Sequence, residues 1–141
     1  MGKTEPKAPE VVLDASALLA HIYDEPGAQV VRKAIVSGAA ISVVNWIEVL
    51  SKLAEDGQDP ELASAEISAD DLVETAIKIE PVTTEDAIEA ARLRPLTKEN
   101  GLSLADRVCL ALGRRLSVPV VTADREWTGL DDVSATVRLI R

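Results

Sequence analysis

Two short apolar runs, far apart in the chain, each end on an aspartate. Val11, Val12 and Leu13 lead into Asp14, and Val120, Val121, Thr122 and Ala123 lead into Asp124. Two further acids stand in helical settings: Glu48 within VVNWIEVLSKL, on the polar side of an apolar stripe, and Asp106 within LSLADRVCLAL, in a first helical turn. Carboxylates brought together repel and raise one another's pKa, a cost that a cation removes. Oxygen donors with room for water suit Mg2+ or Mn2+. Such a site serves phosphodiester cleavage, because the ion activates water and stabilises charge on the phosphate, sometimes with two ions about 3.5–4 Å apart. Each acid also has a plainer role. Asp14 and Asp124 suit helix caps, Asp106 completes a capping box with Ser103, and Glu48 can pair with Lys52 at i,i+4. Singly the plain roles suffice. Together, acids at strand ends with no lysine nearby favour a cation site.

Other chemistries are poorly supplied. The one histidine, His21, lies inside the first helical pattern as a partly exposed residue. No Cys/His set suits zinc, and neither a G-x-S-x-G elbow nor a glycine-rich phosphate loop is present. Cys109, the single cysteine, falls on an apolar stripe with Ala105 and Leu112 and is expected in the core. It excludes an internal disulfide and suits a reducing compartment. Trp46 fits a core stripe, and Trp127 is expected to pack a helix against a sheet.

The elements that must position the acids alternate. Strand-like runs occur at Val11–Asp14, Ala39–Ser42, Ile77–Val82, Pro119–Thr122 and Thr136–Leu139. Helical patterns span 16–23 with Ser16 as N-cap, 26–37 opening on Pro26, 43–54, 60–74 after Asp59, 84–93 after Thr83 and 104–113 after Ser103, with a short turn after Asp124. In 43–54 the apolar stripe includes Val43, Trp46, Ile47, Leu50 and Leu53. Strands alternating with helices predict a parallel sheet joined by right-handed crossovers. Such sheets bind ligands at the carboxyl ends of their strands, where Asp14 and Asp124 stand.

A chain of 141 residues suits one domain, expected over 11–141 behind a loose tail at 1–10. No apolar run approaches the roughly 20 residues of a membrane span, and the first residues lack the apolar segment of a signal peptide. The cytoplasm is the expected location. The net charge of −9 argues against a nucleic-acid partner at first sight. However, residues 92–125 hold seven basic side chains (Arg92, Arg94, Lys98, Arg107, Arg114, Arg115 and Arg125) against three acids, a local +4.

The segments VVLDASALLA, DEPGA, ISVVNWIEVLSKL, GLSLADRVCLALGRRL and VPVVTADREW, in this order and spacing, resemble the PIN domain, and among PIN domains the VapC toxins of toxin–antitoxin pairs. The resemblance runs from about Val11 to the C-terminus. It implies a three-layer α/β/α fold around a central, mainly parallel sheet of four or five strands, and a Mg2+- or Mn2+-dependent endoribonuclease. Asp14, Glu48, Asp106 and Asp124 fall on the family's acidic, metal-binding positions, and Ser16 and Thr122 on its hydroxyl positions. The resemblance also implies a homodimer, a VapB-type antitoxin whose C-terminal segment lies across the groove, and structured RNA substrates of the tRNA or rRNA class. Arg92, Arg94, Arg107 and Arg125 are the expected RNA contacts, with Arg114 and Arg115 on the far side.

Three rivals compete. A haloacid dehalogenase-like phosphatase needs a second aspartate where Ser16 stands. A receiver-type signalling domain needs an acidic pair at its first strand and a lysine at its last. A PIN fold without catalysis, serving as an interaction module, is separated only by an RNA cleavage assay.

Overall fold

The structure is a computed structural model, and it describes residues 8–69, 77–130, 133 and 135–141. In chain order the elements are β1 (Val11–Leu13), α1 (Ala15–Ile22), α2 (Ala28–Ser37), β2 (Ala39–Ser42), α3 (Val43–Glu55), α4 (Pro60–Ala69), β3 (Ile77–Glu80), α5 (Thr84–Thr97), α6 (Leu104–Leu116), β4 (Val120–Thr122), a single 3-10 turn (Arg125–Trp127) and β5 (Val137–Leu139). The expected tail over 1–7 and the end of the expected 60–74 helix, 70–74, lie outside the described residues.

The five strands form one sheet in the order β3-β2-β1-β4-β5, and every pairing is parallel. This is the expected α/β/α architecture. Successive strand side chains point to opposite faces, so β1 feeds two cores. Val11 and Leu13 join the cluster with Leu18, Val31, Ile41, Val49 and Leu53 from α1, α2, β2 and α3. Val12 joins the other cluster, with Leu93, Cys109, Leu110, Val120 and Trp127. Cys109 and Trp127 are therefore core residues, as their patterns predict. β2 lies on one side of β1 and β4 on the other, so the strand order reverses there. Parallel sheets open a crevice at the carboxyl ends of strands at such a switch point, and Asp14 follows β1 at that point.

Several local expectations are corrected. Asp14, not Ser16, caps α1: its backbone is still extended where β1 ends, and its carboxylate accepts from Ala17 N–H. The second helix opens at Ala28 behind Gly27 rather than at Pro26. Ile47, expected in the apolar stripe, is 56% exposed, because Trp46, Val49 and Leu53 define the buried face of α3 with Asn45. α5 continues through Pro95 to Thr97, and α6 through Gly113 to Leu116.

α5 and α6 are bound by ion pairs to buried acids. Glu89 is engaged by Arg92 at 2.6 Å and Arg114 at 2.5 Å, and Asp86 by Arg115 at 2.9 Å. The adjacent guanidinium groups and the hydrogen bond from Arg92 hold Glu89 below the usual carboxylate range. Losing one partner would leave buried charge uncompensated, so this seam fixes the seating of α6 and hence of Asp106.

Gly27 caps α2 at φ 94°, and a Cβ there would stand 2.6 Å from the Ile140 carbonyl oxygen. Gly57 has the same φ but nothing within 4 Å. Gly27→Ala is expected to cost about 2–4 kcal/mol, from backbone strain plus overpacking. Gly57→Ala should cost only the strain, about 1–2 kcal/mol. Urea unfolding of both variants checks the difference; equal losses would show that the Gly27–Ile140 approach is not tight.

Candidate functional site at the carboxyl edge of the sheet

Asp14 is 4% exposed and sits at the switch point. Its Oδ1 accepts from Ala17 N–H at 2.8 Å, and the Ser16 hydroxyl lies 2.7 Å from Oδ1 and 2.9 Å from Oδ2. Thr122 Oγ1 donates to Oδ2 at 2.5 Å. The two hydroxyls are themselves oriented by backbone. Ala123 N–H donates to Ser16 Oγ at 2.9 Å, and Asp124 N–H to Thr122 Oγ1 at 3.0 Å. A hydroxyl has one proton, and each of these is directed at the same carboxylate. Thus the chain leaving β4 and the start of α1 are tied together through Asp14.

Burial dominates the carboxyl's acidity. Desolvation raises the Asp14 pKa to about 6 against the opposing pull of bonds from Thr122, Ala17 and Ser16, and the charge of Asp106 adds to the rise. Asp106 is also raised, first by burial; the bonds from Ser103 oppose this, and the Asp124 charge adds to it. Glu48 is raised by burial, offset by the bond from Asn45, with Asp106 contributing. Asp106 is therefore the electrostatic neighbour of all three other acids. The fold brings Asp106 within the field of each of the other three.

The plain roles hold as well for three of the four. Asp14 caps α1, Asp124 accepts from Glu126 N–H at 2.9 Å, and Asp106 closes the capping box with Ser103. Glu48 does not follow its plain role, since Lys52 pairs with Asp56 at 3.7 Å. Instead Glu48 Oε1 accepts from Asn45 Nδ2 at 2.9 Å. Nothing in the sequence pattern singles out Asn45; the only signal is an amide on the face that Trp46, Val49 and Leu53 bury. Among the arginines, Arg92 pairs with Glu89, and Arg107 donates to the Ala90 carbonyl at 2.9 Å. Arg94 and Arg125 are exposed, and their side chains make no hydrogen bond or ion pair among the described residues. His21 is half-buried, and its Nδ1 accepts from Arg32.

The donor set is all oxygen, as Mg2+ or Mn2+ prefers. Among the described residues, no three acidic, histidine or cysteine side chains are arranged to hold an ion directly. The residues therefore fit an ion that takes one or two carboxylates and keeps several waters, the usual manner of Mg2+. Its one or two direct carboxylates would come from among Asp14, Glu48, Asp106 and Asp124, the rest reaching it through water.

Fold and edge together define a doubly wound α/β domain with a carboxylate-lined switch point. The chain belongs to the PIN domain family, whose model matches residues 11–133. Solved structures share the fold. A toxin–antitoxin complex from Klebsiella pneumoniae matches with a TM-score of 0.68 and 19% identity, over 93% of this chain and 98% of that one. DNA-bound VapBC from Salmonella typhimurium matches with a TM-score of 0.70 and 16% identity, over 94% and 98%. VapC20 from Mycobacterium tuberculosis, described as a sarcin–ricin loop cleaving toxin, matches with a TM-score of 0.66 and 17% identity, over 86% and 97%. No curated protein matches the chain in sequence.

Asp14 makes stability pH-dependent with a definite sign. Its folded pKa, about 6, lies above the ordinary 3.8. Between these values the folded state holds a proton that the unfolded state has released, so stability falls as pH rises through the window. The loss is complete above it and amounts to about 3 kcal/mol. Asp14→Asn lacks this loss and keeps an oxygen for Ala17 N–H. In metal-free buffer it should exceed the wild type in stability at pH 7.5 but not at pH 3.8. Urea midpoints at the two pH values test this; a variant less stable at pH 7.5 contradicts it.

Proposed function

We propose that this protein is the toxin of a two-component toxin–antitoxin pair, acting as a Mg2+- or Mn2+-dependent endoribonuclease in the cytoplasm. The observation that carries the reading is Asp14, buried at the switch point with its carboxyl raised to about 6 and the charge of Asp106 upon it. A fold holds such charge at a cost that a cation relieves, and the bound cation in turn attracts an anionic phosphate. PIN-family membership and the likeness to toxins of VapBC complexes support the same reading. A similar structure described as cleaving the sarcin–ricin loop favours structured RNA, of the rRNA or tRNA class.

When bound, the ion supplies positive charge to the phosphate and acidifies a coordinated water. The chain's own residues set the geometry. Ser16 and Thr122 fix the rotamer of Asp14 through their two oriented protons. The capping box pins Asp106 at the first turn of α6. Arg125, next to Asp124, and Arg94, on the last turns of α5, have guanidinium groups unpaired among the described residues and offer them to the RNA backbone. Arg92 and Arg107 would have to give up their bonds to Glu89 and Ala90 to do so.

A VapB-type antitoxin is the expected partner. The proposed block places an antitoxin arginine on Asp14 or Asp106, as a charge-assisted bidentate pair. A cavity of about 260 Å³ beside α1, α3 and α4, where Ile22, Leu53 and Ile67 lie beside His21, Gln58 and Glu66, offers mixed apolar and polar ground for the antitoxin. A homodimer is part of the proposal.

The test is cleavage of structured RNA with Mn2+ or with chelator. Asp106→Asn should retain a cooperative melt while activity falls by at least about 100-fold. Near wild-type cleavage by this variant, or equal cleavage in chelator, would reject the assignment. Saturating Mn2+, near 100 times its Kd, should raise wild-type stability by about 2.7 kcal/mol and that of Asp106→Asn by less.

RNA binding should weaken with salt, and Arg94→Ala and Arg125→Ala should each flatten the slope of log K against log salt by about 0.7. Arg92→Ala and Arg107→Ala should act more on thermal stability, since Arg92 pairs with the buried Glu89 within α5 and Arg107 bonds across from α6 to the Ala90 carbonyl. Unchanged slopes for both Arg94 and Arg125 would place the RNA elsewhere.

A further inference from the structure

Asn45 lies in the first turn of α3 and is 0% exposed. Its Nδ2 donates to Glu48 Oε1 at 2.9 Å and lies 3.4 Å from the carbonyl oxygen of Ala105, the residue before Asp106. Both partners are acceptors, so the nitrogen must be the atom that faces them. The same orientation leaves Oδ1 buried without a hydrogen-bond partner among the described residues. An orphaned buried acceptor is a standing cost. The fold bears it on a helix face otherwise filled by Trp46, Val49 and Leu53, at the point where the amide grips Glu48.

We propose that Asn45 is the positioning residue of the acidic edge: its buried amide joins α3 to the first turn of α6 and so sets Glu48 against Asp106. The inference rests on reading this edge as a cation site. Glu48 is otherwise exposed on α3, and a free glutamate samples many rotamers. The bond to Oε1 selects among them before any ligand arrives. Oε2 makes no hydrogen bond among the described residues, so one carboxylate oxygen is fixed while the other stays open to a ligand. Through Ala105 the same amide holds the segment of α6 that carries Asp106. A cation approaching the edge then meets two carboxylates whose separation is already set, and their ordering is not charged against its affinity. Oriented groups behind metal ligands act in this way, and losing one typically weakens metal affinity or activity 10- to 100-fold.

The experiment uses the whole chain without RNA. Mn2+ affinity is measured by titration calorimetry on wild type, Asn45→Ala, Asn45→Asp, Glu48→Gln and Asn45→Ala combined with Glu48→Gln. Asn45→Asp keeps the shape and replaces the donor by an acceptor; Asn45→Ala removes both, and either suffices if the other does not fold. We expect each Asn45 variant to bind Mn2+ about 10- to 100-fold more weakly than wild type. Asn45→Ala should weaken binding less in the Glu48→Gln background than in the wild type. In cleavage, kcat should fall while KM for RNA holds. An Asn45 variant that lowers the unfolding midpoint but binds Mn2+ like wild type would overturn the proposal, as would an equal loss in both Glu48 backgrounds. Failure of the wild type to bind Mn2+ would instead count against the proposed function. In that event metal-free urea unfolding decides: non-additive effects of Asn45→Ala and Glu48→Gln uphold the positioning contact, and additive effects refute it.

Discussion

A carboxylate buried at the end of the central strand is the constraint from which the rest of the site follows. Asp14 leaves β1 where the strand order reverses, and only 4% of its surface meets solvent. A charge in that position must be given donors. The chain supplies them from two directions: Ser16 and Ala17 from the start of α1, and Thr122 from the end of β4. The donors are insufficient to cancel desolvation, and the carboxyl remains raised. The residual cost is local and is relieved by protonation or by a cation. The stability of the metal-free fold and the proposed affinity of the edge for a cation thus have one cause.

Helix capping and the proposed site chemistry are compatible in this protein. A capping residue has extended backbone at a helix entrance, and its side chain folds back on the first turn. In a parallel sheet the helix entrances lie at the carboxyl edge, where ligands bind. Asp14, Asp106 and Asp124 each spend an oxygen on a backbone N–H. The cap fixes the rotamer and leaves lone pairs for a ligand. Glu48 alone of the four lies beyond the first turn of its helix, out of reach of a cap, and a buried amide takes over the same task.

The arginines of the +4 stretch divide by burial of their partners. Glu89 and Asp86 are buried between α5 and α6, and Arg92, Arg114 and Arg115 are drawn to them. The pairs made by Arg114 and Arg115 join α6 to α5, and α6 carries both Asp106 and the Ala105 carbonyl that Asn45 reaches. The helix that offers an acid to the site is therefore anchored at its other end by charge. Arg94 and Arg125 have no such partner among the described residues and keep their charge at the surface.

Much of this was legible in the sequence because it follows from local rules. Alternating strands and helices fix a parallel sheet, and an aspartate just past an apolar run must stand at its carboxyl edge. Ser103 and Asp106 at three-residue spacing specify a capping box, and the stripe around Cys109 specifies a core. Three things depend on contacts between segments distant in sequence, and only the tertiary structure decided them. The depth of Asp14 arises because β4 pairs beside β1 and brings Thr122 across from 108 positions away. The arginines of the α5–α6 seam sort by which acids another helix buries, and no count of charges reveals that. Asn45 reads as a stray polar residue in an apolar stripe until α6, 60 positions later, places the Ala105 carbonyl against it. Local patterns state which groups a segment offers; desolvation and pairing depend on what the rest of the chain packs around them.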